Sequence, residues 1–158
     1  MPKDAFICYE TTTGLGYAKH LKEALRKMGK TAFVAEEDIN RGERWQEIID
    51  EAIRECKYFI VIITFPALKS EEVEREINLA QSFNRSIIPC KERQVYRSWL
   101  SYLPIINELQ QIEFEDKDEL ANKVLSEILK RETVKITTIE SVPSGADVYI
   151  NGRKVGRT

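Results

Sequence analysis

Short apolar runs alternate along this chain with stretches whose apolar positions recur every three or four residues, the pattern of parallel strands joined by helices. Ala5-Phe6-Ile7-Cys8-Tyr9 reads as a first strand, ending at the polar, glycine-containing segment Glu10 to Gly16. A helix follows with Ala18, Leu21, Leu25 and Met28 at helical spacing, and Gly29 stands where helices commonly stop. Thr31 to Val34 is a second short strand. Beyond the charged loop Ala35 to Glu43, Trp45, Ile48, Ile49, Ala52 and Ile53 share one face of a second helix. Tyr58 to Thr64 is the strongest strand signal, and its unbroken apolarity predicts a central strand buried on both faces. A third helix from about Glu71 to Phe83 and a fourth strand from Ser86 to Cys90 come next.

Lys91 to Glu108, with Tyr96, Trp99, Tyr102 and Pro104, reads as a loop with short helical turns. Gln110 to Phe114 is a fifth strand, and Asp116 or Asp118 can cap a last helix carrying Leu120, Val124, Leu125, Ile128 and Leu129. At Arg131 the pattern changes. Thr133 to Ser141 and Ala146 to Ile150 read as strands around Pro143-Ser144-Gly145, and Asn151-Gly152 before Arg153-Lys154-Val155 signals a two-residue hairpin. The chain is therefore expected to comprise an α/β domain over residues 1–131, built on a five-stranded parallel sheet, and a short β segment over 132–158. So few strands are not stable alone. The tail packs on the first domain, pairs with another chain, or belongs to something larger.

Composition narrows the function. With 24 basic against 26 acidic residues in 158, a net charge of −2 and no basic stripe, the chain lacks the clustered cations of a nucleic-acid binder. The longest apolar run, Tyr58 to Phe65, has the length of a buried strand rather than a membrane span. The start, Met1-Pro2-Lys3-Asp4, carries no apolar signal-peptide core, so a cytoplasmic location is expected. Cys8, Cys56 and Cys90 sit singly among apolar residues and suit reduced, buried thiols. His20 is the sole histidine and reads as a surface residue on a helix, so neither a zinc site nor a histidine-based triad is expected.

Several of these segments together resemble a known family. Ala5 to Tyr9 is similar to the first box of TIR (Toll/interleukin-1 receptor) domains, with Cys8 where Ser is more usual. Asp38-Ile39-Asn40-Arg41-Gly42-Glu43-Arg44-Trp45 with Ile49, Ala52 and Ile53 resembles the family's loop and helix after the second strand, and its Gly and Trp are similar to the bacterial and archaeal branch. Tyr58 to Thr64, then Pro66, Ser70, Val73, Glu76 and Ala80, matches the third-strand and third-helix signature. The tail resembles the opening part of a PEGA domain, a small β module, through Pro143-Ser144-Gly145-Ala146, Asp147 to Gly152 and Val155-Gly156.

The resemblance implies a flavodoxin-like three-layer fold. For many TIR domains it implies cleavage of the nicotinamide–ribose bond of NAD+, by hydrolysis or cyclisation, in signalling or defence. NAD+ is then the substrate, with no separate cofactor or metal. The family's catalytic glutamate falls on Glu76, at the margin of its helix's apolar stripe. A carboxylate there would stabilise the positive charge that builds on ribose as the bond breaks. Taken by itself, Glu76 is also one of the acids Glu71, Glu72, Glu74 and Glu76 that a helix N-terminus favours. Tyr9, Glu10, Trp45, Phe65 and Ser70 are the expected substrate-binding residues, although Trp45 also reads as core. Glu10 and Glu72 stand where active relatives often carry a basic residue and Trp, and both remove features suited to an anionic dinucleotide. Asp38, Arg41 and Gly42 mark a loop through which TIR domains touch one another, so a homo-oligomer is expected. The alternatives are a non-catalytic module for homotypic assembly and a deoxyribosyltransferase-like domain acting on free nucleosides.

Overall fold

The computed structural model describes residues 2–40, 42–140, 147–150 and 153–157, with side chains described through residue 133. Two compact units are present, Met1–Asn122 and Lys123–Thr158.

The first unit is organised by β1 (Ala5–Cys8), β2 (Ala32–Phe33), β3 (Tyr58–Ile63), β4 (Ser86–Glu92) and β5 (Ile112–Phe114). They form one sheet in the order β2-β1-β3-β4-β5, and every pairing is parallel. All six residues of β3 are buried, as unbroken apolarity requires of a central strand covered on both faces. Register sets Phe6 opposite both Phe33 and Phe59, and the three rings stack across the sheet at centroid distances of 5.3 and 5.5 Å.

Strand side chains alternate between faces. Phe6, Cys8, Phe59, Val61 and Ile63 join a core with Ile49 and Ile53 of α3 (Trp45–Glu55) and Val73, Ile77 and Ala80 of α4 (Glu71–Ser82). Ile7, Ile60 and Ile62 take the opposite parity, and α1 (Thr11–Lys27) contacts β1, β2 and β3. α1 buries Ala18, Leu21 and Leu25 and ends at Gly29, whose φ of 78° suits the residue type. Its start differs from expectation. Thr11 to Gly16 is helical, because the Glu10 side chain accepts from the Thr12 and Thr13 amides at 3.2 and 2.9 Å and supplies the cap.

The expected loop Ala35–Glu43 opens with a single helical turn, α2 (Ala35–Asp38), whose Asp38 carboxylate accepts from the Val34 amide at 2.7 Å. Between β4 and β5 lie a 3-10 turn at Arg97–Tyr102 and α5 (Pro104–Asn107), the short helical turns expected there. His20 is paired with Asp118 at 3.0 Å. The last helix, α6 (Lys117–Glu140), is started by Asp116, which accepts from the Glu119 amide at 2.9 Å.

Over residues 133–140 the strand expected from Thr133 to Ser141 is not formed, because α6 continues to Glu140; Ser141 lies outside the described residues. The segment's β-branched residues favour extended backbone only weakly, and no Gly or Pro breaks the helix before Pro143. In the second unit β6 (Asp147–Ile150) and β7 (Arg153–Arg157) pair antiparallel, as the hairpin pattern requires. Asn151-Gly152 and Pro143-Ser144-Gly145 lie outside the described residues.

Candidate functional site

At the carboxyl ends of β1 and β2, where open α/β sheets bind ligands, the first unit holds a cavity of about 160 Å³. Its walls include Phe6, Ile7, Tyr9, Glu10 and Thr11 from β1 and the start of α1, with Ala35 and Glu36 from α2. Trp45 and Ile49 of α3 close a second side, and Ser70, Glu72 and Glu76 come from α4. Five residues singled out in the sequence, Tyr9, Glu10, Trp45, Ser70 and Glu76, thus converge on one space.

Phe65 does not line it. Its ring is 54% exposed and meets Trp99 edge-on at 5.0 Å, in an aromatic group that continues to Tyr96. Asp38 lies outside the cavity as well, where it binds Lys22 at 2.8 Å. Gly42 is exposed with φ 91°, a left-handed conformation that glycine adopts without strain. Arg41 lies outside the described residues.

Glu76 is the buried acid of the site, 6% exposed. Ser70 caps α4 by accepting from the Val73 amide at 3.2 Å, which sets the helix phase that turns Glu76 inward. Burial in this apolar surrounding pushes its carboxyl up to about 8; contact with the Cys8 thiol opposes the rise and the charge of Glu72 adds to it. Cys8 is itself pushed well above the ordinary thiol range by burial, then by Glu76, and stays a neutral thiol. Arg75, the neighbouring cation, is turned to Asp50 at 2.9 Å.

Tyr9 is held by two contacts. Its hydroxyl accepts from the Glu36 amide at 3.2 Å, and burial lifts the phenol to about 12, so it remains a neutral hydrogen-bonding group. Gly14 packs against it so closely that an added Cβ would stand 2.7 Å from the Tyr9 Cβ. Trp45 is 40% exposed and belongs to the cavity edge rather than the buried core, which answers the two readings its helix position left open. Sequence reasoning missed Thr11 and Glu36 as cavity residues; both are exposed polar positions with no periodic signal, and only the sheet brings them there.

Residues 5–129 match the sequence model of the TIR domain. The chain belongs to the TIR domain family. Solved structures agree with this TIR fold. The TIR domain of the Toll-related receptor TRR-2 from Hydra magnipapillata is 24% identical with a TM-score of 0.63, over 82% of this chain and 97% of that one. A metazoan TIR-STING receptor from C. gigas, solved with 2',3'-cGAMP, is 25% identical with a TM-score of 0.63 over 76% of this chain. This chain covers only 38% of that receptor. The fold also extends to the CMP N-glycosidase BcmB of Clostridium botulinum, 19% identical with a TM-score of 0.57, over 76% of this chain and 95% of that one. Residues 134–158 match the PEGA domain model. No curated protein matches the sequence significantly.

Among the described residues of this TIR protein, no group of His, Cys, Asp and Glu has the makings of a metal site. No helix among them is long and apolar enough to cross a membrane. All three cysteines are buried and none is in a disulfide.

Proposed function

We propose that this TIR domain cleaves the nicotinamide–ribose bond of NAD+, with Glu76 as the catalytic carboxylate. The observation that carries the reading is a buried carboxyl in the cavity at the strand ends, surrounded by Tyr9, Trp45 and Ser70. In the reaction the C1′–N bond breaks and its electron pair stays on the nicotinamide nitrogen. Water adds at C1′ and loses a proton, leaving ADP-ribose and neutral nicotinamide. The ionised Glu76 stabilises the cationic ribose in between, and its low-dielectric setting strengthens that attraction. Because nicotinamide departs as a neutral molecule, no general acid is required.

The test is a chromatographic time course of nicotinamide release from NAD+, run beside Glu76→Gln and Glu76→Ala. Release by the parent protein and its loss in both folded variants is the expected result; equal release by all three would sink the assignment. A second reading, a non-catalytic module for TIR–TIR assembly, is supported by the exposed turn of Asn40 and residues 42–44. Under that reading Glu76→Gln is silent, and substitutions at Gly42 weaken self-association measured by analytical ultracentrifugation.

A further inference from the structure

Hydrolysis leaves a proton to be placed. When water adds at C1′ its oxygen must release a proton, and a group positioned to take it speeds the step by about a hundred- to ten-thousandfold. Glu76 is poorly suited to that task. Its charge is what holds the cationic ribose, and a carboxylate that takes a proton gives up that attraction. A second acceptor at the same cavity keeps Glu76 charged through the step.

No histidine lines the cavity among the described residues, so the acceptor is a carboxylate, and besides Glu76 the walls offer Glu10, Glu36 and Glu72. Glu10 is committed to the start of α1, where its oxygens accept from the Thr12 and Thr13 amides and, at 2.7 Å, from the Thr13 hydroxyl. Those bonds hold its carboxyl below the usual range and make it a weak base. Glu36 enters from α2 rather than from the helix that carries Glu76, and its charge bears on the Tyr9 phenol.

Glu72 meets the requirement. It precedes Glu76 by one turn of α4, a spacing that sets side chains about 5 to 6 Å apart at Cβ. Both line the cavity, and the neutral Glu76 carboxyl donates a hydrogen bond to Glu72, which is thus already placed to accept a proton from that space. Glu72 is also exposed, so a proton it takes passes on to solvent. The other groups acting on Glu76 cannot take this proton. Cys8 is a neutral thiol, and Arg75 is a cation bound to Asp50 at 2.9 Å.

Resting on the NAD+ cleavage proposed above, we infer that Glu72 is a second catalytic residue, the general base that takes the proton of the attacking water. The C1′–N bond breaks with its electron pair going to nicotinamide. A lone pair of the water oxygen forms the C1′–O bond, and one water proton passes to a Glu72 oxygen and on to solvent. Glu76 holds the cation while Glu72 completes its capture by water, so the site is built to hydrolyse and ADP-ribose is the product.

The experiment separates the two roles by the choice of nucleophile. 3-Acetylpyridine replaces nicotinamide on the ribose without losing a proton, so this exchange needs Glu76 alone, whereas hydrolysis needs both acids. Hydrolysis and exchange of NAD+ by the full chain are followed chromatographically for the parent, Glu72→Gln, Glu72→Asp and Glu76→Gln. They are run at pH 9, above the Glu76 midpoint of about 8. Because Glu72 is exposed, Gln in its place leaves the fold intact, which urea unfolding checks. Glu72→Gln is expected to cut ADP-ribose formation by at least about a hundredfold while exchange changes by less than about fivefold. Glu72→Asp restores part of the hydrolysis, and Glu76→Gln loses both reactions. Hydrolysis undiminished in Glu72→Gln overturns the assignment and leaves the cleavage reaction standing. Equal loss of hydrolysis and exchange in Glu72→Gln also overturns it, because Glu72 would then act only through Glu76. A parent protein that neither hydrolyses nor exchanges NAD+ overturns the cleavage reading, and the base with it.

Discussion

Glu72 and Glu76 stand one helical turn apart on α4 and line the same cavity, yet Glu72 is exposed while Glu76 is 6% exposed. Two carboxyls of identical chemistry are thereby divided between roles. The outer one stays in water and adds negative potential; the inner one loses its hydration and holds its proton to about 8.

That division makes stability depend on pH. Glu76 has its folded pKa raised from 4.5 to about 8, so the folded state binds a proton that the unfolded state releases between those values. Stability contributed by the neutral carboxyl is complete below about 4.5 and is lost as pH rises through about 8. At about 1.4 kcal/mol per pKa unit, the effect is on the order of 5 kcal/mol. Glu76→Gln, neutral at every pH, should melt near the parent protein at pH 5 and clearly above it at pH 9. Parallel melting curves across that range would contradict the burial of a titrating Glu76.

Catalysis should run in the opposite sense. The proposed reaction uses the ionised carboxylate, so kcat/KM for nicotinamide release rises with pH and levels off above about 8. A bound pyridinium cation favours ionisation, so the midpoint in kcat falls below the midpoint in kcat/KM. A profile flat from pH 6 to 9 in both parameters would rule out Glu76 as the group that ionises.

Trp45 separates binding from stability. A side chain 40% exposed at the cavity edge still buries more than half of its surface, so Trp45→Ala should cost about 2 kcal/mol in urea unfolding, less than a fully buried aromatic would. The same change should weaken binding of a pyridinium cation by about tenfold, through loss of the aromatic face. A large stability loss with unaltered binding would return Trp45 to a purely structural role.

Two glycines of α1 should answer an Ala substitution with different sign. Gly16 has nothing within 4 Å of an added Cβ, so Gly16→Ala should gain up to about 1 kcal/mol from helix propensity. At Gly14 the new Cβ would lie 2.7 Å from the Tyr9 Cβ, and overpacking of this kind costs about 1 to 3 kcal/mol. Gly14→Ala should therefore destabilise, and should also displace Tyr9 and lower activity. Denaturant unfolding of both variants checks the contrast.

The places where sequence reading went astray share a cause. Glu10 to Gly16 looked like a loop because its threonines and glycines are poor helix formers, but a side-chain cap and packing against Tyr9 outweigh that weak preference. Thr133 to Glu140 looked like a strand, yet β-branched residues there continue α6. Phe65 was expected in the pocket as a neighbour of the β3 terminus. The chain turns away at Pro66–Lys69 and sends its ring to Trp99.

The alternation of strand-like and helix-like periods was enough to determine five parallel strands and a central β3, because burial on one or two faces writes itself into local spacing, while the TIR resemblance came from particular motif residues such as Ala5 to Tyr9 and Tyr58 to Thr64. It also placed Glu76 at the edge of an apolar stripe. Only the tertiary structure decided the order β2-β1-β3-β4-β5, and with it which strand ends meet. It also decided that Glu76 rather than Glu72 is buried, and that Glu10 fills the α1 terminus as its own anion. Those outcomes depend on desolvation and charge shared among residues far apart in the chain, which no local pattern records.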